Sequence, residues 1–230
     1  MQLPQTNSAI TSKFSDQLTL LYGQPGVGKS TFCSTIAGEG KDDQVLFAAT
    51  ERGHNHLSVR KVDINEWNDI KKLYNLLKDT SKHNYKYLVI DTGDALAKLL
   101  DRAICKHAGV KQLGDIPWGK LHIILRDEYM KKIEDFRALG MGICIISHTK
   151  VVEVEEDGRQ FQKMSNSLPY KLPEHVVPAC DLIFYQHVNQ KGERVLRTKG
   201  TYSIECKDRS GKLPDVMPCS FAEVKKCLSK

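Results

Sequence analysis

Residues Gly23, Gln24, Pro25, Gly26, Val27, Gly28, Lys29 and Ser30 match G-x-x-x-x-G-K-[ST] at every fixed position. Glycines at those places let the backbone curl around phosphate oxygens, and a following helix aims its first N–H groups and its dipole at the same anion. Lys29 is then expected to reach the β- and γ-phosphates of ATP and Ser30 to hold Mg²⁺, with Thr31 completing the set of ligand-facing residues. The flanks fit: an apolar run, Leu18–Tyr22, precedes the loop, and a helical stretch over Lys29–Ala37 follows it.

A phosphate loop needs an acid near the metal. The run Tyr87–Ile90 ends in Asp91, which is expected to accept a hydrogen bond from a metal-bound water or from Ser30. An Asp that only starts the next helix would read the same way. Hydrolysis further requires a base to orient water. Thr92 occupies the position after Asp91, so the reading turns to Glu51, at the end of the run Val45–Ala49 and Thr50.

These residues need a sheet to align them. Near-continuous apolar runs at Leu18–Tyr22, Val45–Ala49, Tyr87–Ile90, Ile143–Ser147 and Leu182–Tyr185 have the pattern of parallel strands covered on both faces. Further strands are expected at Val195–Thr198 and Tyr202–Cys206. Between them, Trp67, Ile70, Leu73 and Leu77 share a helix face, as do Leu96, Leu99, Leu100 and Ala103. Trp118, Leu121, Leu125, Tyr129, Ile133 and Phe136 mark a longer helix ending near Gly140. The pattern predicts an α/β fold with a mostly parallel sheet and right-handed crossovers. An Asp157-Gly158 turn predicts a protruding hairpin, and from residue 181 onward helices give way to an antiparallel edge.

The chain has 230 residues, 40% hydrophobic and 27% charged, with a formal net charge of +6. That composition is globular and suits one domain over 1–230. No apolar run is long enough for a membrane span, and the first residues lack a signal-peptide core, so a cytoplasmic protein with no membrane partner is expected. Seven cysteines (33, 105, 144, 180, 206, 219 and 227) form no C-x-x-C pair. Buried reduced thiols are the favoured reading over zinc or a disulfide frame. The charge is spread evenly, except that residues 191–212 hold seven basic and three acidic groups.

The placement of Glu51 beyond the strand that follows the phosphate-loop helix resembles the RecA-like ATPases, a P-loop NTPase family. That resemblance implies that Glu51 is the catalytic acid. It also implies that His148, ending Ile143–Ser147, senses the γ-phosphate and relays to the next loop. Lys207 and Arg209, in Lys207-Asp208-Arg209-Ser210-Gly211, resemble the K-x-R finger that reaches the nucleotide of a neighbouring subunit. Outside that frame the triplet reads as a solvated charged turn. Taken together, these elements are similar to small phage RecA-core proteins, including the Sak-four type of single-strand annealing protein. The resemblance implies a Mg²⁺·ATP-dependent ATPase, hydrolysing faster on single-stranded DNA and annealing it in phage recombination. It would work as a ring or filament in the host cytoplasm, with a single-strand binding protein as a further partner. Residues 1–17 would be a flexible or assembly arm. A regulatory nucleotide-binding module, a helicase loader and a small P-loop kinase are the alternatives.

DNA would meet loops 107–120 and 150–171. The second carries Lys150, Arg159, Lys163 and Lys171 with Phe161 and Tyr170 interleaved, a combination suited to tracking phosphates and stacking bases. Glu153, Glu155, Glu156 and Asp157 in the same hairpin would oppose this if they shared its face.

Overall fold

The computed structural model describes residues 13–229 apart from 39, 54, 55 and 157. Its centre is a nine-stranded sheet. The parallel part contains β1 (Leu18–Gly23), β2 (Val45–Ala49), β3 (Arg60–Asp63), β4 (Tyr87–Asp91), β5 (Gly142–Ser147) and β8 (Leu182–Val188). Antiparallel strands β9 (Arg194–Arg197), β10 (Lys207–Asp208) and β11 (Val216–Pro218) complete one edge. The order is β11-β9-β8-β1-β5-β4-β2-β3, with β10 also on β8. Outside the sheet, β6 (Thr149–Glu156) and β7 (Arg159–Asn166) form the expected hairpin; Asp157 lies outside the described residues.

Both faces of the central strands are covered, which is why their apolar runs are continuous. Leu18, Leu20, Tyr22, Leu46, Ala48, Leu88, Ile90, Ile143 and Ile145 join one core cluster. Their alternates Leu21, Val45, Phe47, Val89, Cys144 and Ile146 join another. The first is roofed by α2 (Trp67–Leu77), α3 (Gly93–Ala108), α4 (Lys120–Arg137) and α5 (Pro173–Ala179). The second is roofed by α1 (Lys29–Ser34) and α6 (Phe221–Leu228). Local signals set the helix ends: Glu66 and Asp69 form a reciprocal capping box on α2, and Thr92 caps α3 by accepting from the Ala95 N–H.

Several expectations are corrected. Residues 202–206 form no strand; they turn, with isolated bridges pairing Ile204 to Met164 and to Thr201. β3 escaped notice because Arg60 and Lys61 begin an exposed edge strand that lacks an apolar run. Trp118 is not on the α4 face: it sits before the helix with φ of 65° and is 98% exposed. Beyond residue 181 the chain also keeps a helix, α6. Of the expected 1–17 arm, residues 1–12 lie outside the described residues, while residues 13–17 are docked. Phe14 is buried edge-on against Phe221, and the Gln17 carbonyl accepts from the Ile143 N–H. All seven cysteines are free thiols, four of them buried. No helix among the described residues is long and apolar enough to cross a membrane.

Candidate functional site

The phosphate loop joins the C-terminal end of β1 to the start of α1. Gly23 pairs with Gln186 of β8, so closely that a Cβ there would sit 2.4 Å from the Gln186 carbonyl oxygen. Gly28 has φ of 94°, a left-handed conformation that side chains resist. We expect Gly23→Ala to push β1 and β8 apart at the loop, at a cost of about 1–3 kcal/mol. A thermal melt reads this as a lowered midpoint, with weaker nucleotide binding alongside; an unchanged midpoint counts against so tight a packing.

Lys29 is buried, and its ammonium donates to the carbonyls of Gly23 (2.8 Å) and Gln24 (3.0 Å). Burial pulls its pKa down, opposed by the carboxylates of Asp91, Asp94 and Glu51. Ser30 Oγ donates to Asp91 Oδ2 at 2.6 Å, so the two residues expected to share a metal are already hydrogen-bonded to each other. A hydroxyl next to a carboxylate is a hard-oxygen donor set that fits Mg²⁺, and Ser30 and Asp91 are the residues that would hold it. When bound, such an ion neutralises phosphate charge.

Glu51 and His148 meet at the same place. Thr92 Oγ1 donates to Glu51 Oε1 at 2.9 Å, and His148 Nε2 lies 3.7 Å from Glu51 Oε2. Thr92 is itself held by Thr50, whose hydroxyl accepts from the Thr92 N–H at 2.7 Å and donates to its carbonyl at 2.9 Å. The position after Asp91, with no acid of its own, thus orients the acid offered from β2. These groups surround a cavity of about 390 Å³ whose walls include Pro25, Gly26, Gly28, Lys29, Ser30, Thr31, Glu51, Asp91, Thr92 and His148. The arrangement has an anion cradle, a cation ligand pair and a carboxylate held facing the cradle, which are the parts phosphoanhydride hydrolysis uses.

Two residues of this site were not read from the sequence. Gln186 is buried at the end of the run Leu182–Tyr185, and its amide donates to the Val27 carbonyl at 2.9 Å, bracing the loop. A polar residue closing an apolar strand was the signal available. Arg194, from the first position of β9, lines the cavity beside Gly28. No spacing pointed to it.

Lys207 and Arg209 lie elsewhere. Lys207 pairs with Ile183 near the start of β8, whereas the phosphate loop sits at the far end of the same strands. At 3.2–3.4 Å per residue that separates them by roughly 10–15 Å along β8. Lys207 donates to the carbonyls of Val177 and Pro178, and Arg209 pairs with Asp181 at 2.8 Å. Neither touches the cavity of its own chain.

The DNA candidates divide. In the hairpin, Lys150 faces Ser165, Val152 faces Lys163 and Val154 faces Phe161, while Arg159 pairs in register with Glu156 at the tip. Because directly paired residues share a face and neighbours alternate, Lys150, Arg159, Lys163 and Phe161 fall on one side. Glu153 and Glu155 fall on the other, with Gln162 and Gln160. Lys171 stands apart, in a second cavity of about 330 Å³ walled by Trp118, His122, Ile123, Arg126 and Tyr170.

With cradle, acid pair and sheet in place, comparison with known proteins decides the family. The profile described as "AAA domain" (AAA_24) matches residues 15–210, most of the chain. The chain belongs to this AAA domain family. It is a P-loop NTPase, and the family points to nucleotide hydrolysis. The AAA domain chain is also 23% identical over 188 residues to the "SPbeta prophage-derived uncharacterized protein YorG" of Bacillus subtilis (strain 168). That alignment covers 79% of this chain and 54% of the relative, so the chain spans about half the relative's length.

Proposed function

We propose that this AAA domain protein is a Mg²⁺·ATP-dependent ATPase of the RecA-like, Sak-four type, which binds single-stranded DNA and promotes its annealing as a multimer. The observation that carries this reading is the hairpin. Its register puts three cations and Phe161 on one face and Glu153 and Glu155 on the other, with Glu156 in register with Arg159 at the tip, and its first strand begins directly after His148 of the nucleotide cavity. The Ser167 N–H donates to the His148 carbonyl and to Ser147 Oγ, and the Ser167 hydroxyl donates to Asp94. A change at His148 on nucleotide binding therefore has a short path to the strands that would hold DNA. The second cavity, with exposed Trp118 beside Arg126 and Lys171, supplies a stacking surface of the same chemical kind. Lys207 and Arg209 act in this scheme on a neighbour's nucleotide, since they are remote from their own.

The test is ATP turnover with and without single-stranded DNA. Turnover rises on adding DNA, and Lys150→Ala/Arg159→Ala/Lys163→Ala reduces that rise. DNA affinity of the triple variant falls, and its salt dependence becomes shallower by about 0.7 in log–log slope for each DNA phosphate that is no longer neutralised. Turnover indifferent to DNA but raised by a small hydroxylated acceptor would instead identify a kinase. ATP bound tightly without turnover, whatever DNA is added, would identify a regulatory module.

A further inference from the structure

We propose that Arg194 is a phosphate-binding residue of the nucleotide site, acting in cis. The proposal rests on the nucleotide-binding reading of the cavity and adds to it a cation that neither the loop motif nor the K-x-R segment contains.

Three observations carry it. The first is position. In the sheet order, β5, β4 and β2 lie on one side of β1, and β8 and β9 lie on the other. Asp91 and Glu51 approach the phosphate loop from the first side. Arg194 approaches from the second, with Nη1 3.2 Å from where a Cβ on Gly28 would be and with Gln186 Nε2 beside it. A bound phosphate chain would lie between these two walls.

The second is availability. Among the described residues the Arg194 guanidinium makes no hydrogen bond or ion pair, although it lines a polar cavity. Lys207 and Arg209 are both engaged by carbonyls or Asp181 at the other end of the sheet. Arg194 gives up no existing partner by turning onto a ligand.

The third is charge. Glu51 and Asp91 place two carboxylates on the cavity wall, against the Lys29 ammonium, two of whose three N–H donors are taken by backbone carbonyls. A triphosphate brings several further negative charges into this space. A planar guanidinium with five N–H donors suits bidentate pairing with phosphate oxygens, and its placement opposite the carboxylates balances the field across the ligand.

The experiment compares Mg²⁺·ATP binding by the wild type, Arg194→Ala and Arg194→Lys, measured by calorimetry at dilutions where the chain sediments as a monomer. Arg194 is exposed and unpaired, so the unliganded melting midpoint is expected to stay at the wild-type value. The Kd for ATP is expected to rise roughly tenfold or more in Arg194→Ala, as loss of a hydrogen bond to a charged group implies. Arg194→Lys is expected to recover part of it, since the charge returns without the fork. Phenylglyoxal labelling of wild-type Arg194, read by mass spectrometry, is expected to slow when ATP is present. A Kd for Arg194→Ala within twofold of wild type overturns the proposal while leaving nucleotide binding itself intact. Failure of the wild type to bind ATP overturns both.

Discussion

Glu51→Gln lowers ATP turnover by about 10²–10⁴-fold and leaves nucleotide affinity close to that of the wild type. The magnitude is that of losing a positioned general base, and it corresponds to about 3–5 kcal/mol of barrier. The substitution is chosen for what it preserves. Glutamine keeps an oxygen to accept from Thr92 Oγ1, now at 2.9 Å from Glu51 Oε1, so the side chain stays oriented over the cradle. It cannot take a proton from water. Lys29, Ser30 and Asp91 are untouched, so the interactions expected to hold the phosphates persist. Single-turnover hydrolysis and equilibrium ATP binding, measured on the same sample, separate the two effects. Wild-type turnover in Glu51→Gln would remove Glu51 from the base role and turn attention to another acid near the loop. A parallel loss of binding would make it a structural ligand of the site instead.

Phe221→Ala is the second large effect, and it acts on stability. Phe221 is buried, edge-on to Phe14 at 4.5 Å and to Phe32 at 5.7 Å between ring centroids. It therefore fastens the first docked turn (Phe14–Asp16) and the C-terminal α6 to α1, the helix that begins at the phosphate loop. Removing a buried phenyl ring costs about 3–5 kcal/mol in lost burial and residual cavity. In a chain of this size each kcal/mol shifts the melting midpoint by about 2–4 °C, so a fall of about 6–20 °C is expected. Because Phe32 lies on α1, ATP affinity should also drop. Saturating nucleotide should restore part of the midpoint, since a ligand that binds only the folded state stabilises it by mass action. A midpoint within about 2 °C of wild type, a shift of about 0.5–1 kcal/mol, would mean that α6 contributes little to holding the sheet's second face.

Where local chemistry and local periodicity coincide, the structure is legible in the residues alone. The central parallel strands announce themselves because each must be apolar on both faces. α2 could be read from Trp67, Ile70, Leu73 and Leu77, all of which are buried. The phosphate loop could be read because its function needs glycines and a lysine at fixed offsets within eight residues. β3 could not, because an edge strand beginning Arg60-Lys61 buries too little to show a pattern. α6 could not, because Phe221, Val224 and Leu228 gain their burial from Phe14 and Phe32, residues far away in sequence. Trp118 misled for the converse reason: it continues the apolar spacing of α4 but has φ of 65° and lies in solvent.

The same division runs through the site. The loop at Gly23–Ser30 and the acid at Asp91 are determined by sequence, since each is a short segment whose residue types are dictated by what it must touch. The parallel sheet is determined likewise, by burial on both faces. Tertiary structure alone decided that Thr92 and His148 flank Glu51, that Gln186 braces Val27, and that Arg194 reaches Gly28. It also decided that Lys207 and Arg209 stand at the opposite end of the strands, and that the hairpin separates Lys150 and Lys163 from Glu153 and Glu155. Those relations depend on strand order and register, which place residues tens to more than a hundred positions apart side by side. A one-residue slip in register would move every one of those side chains to the other face.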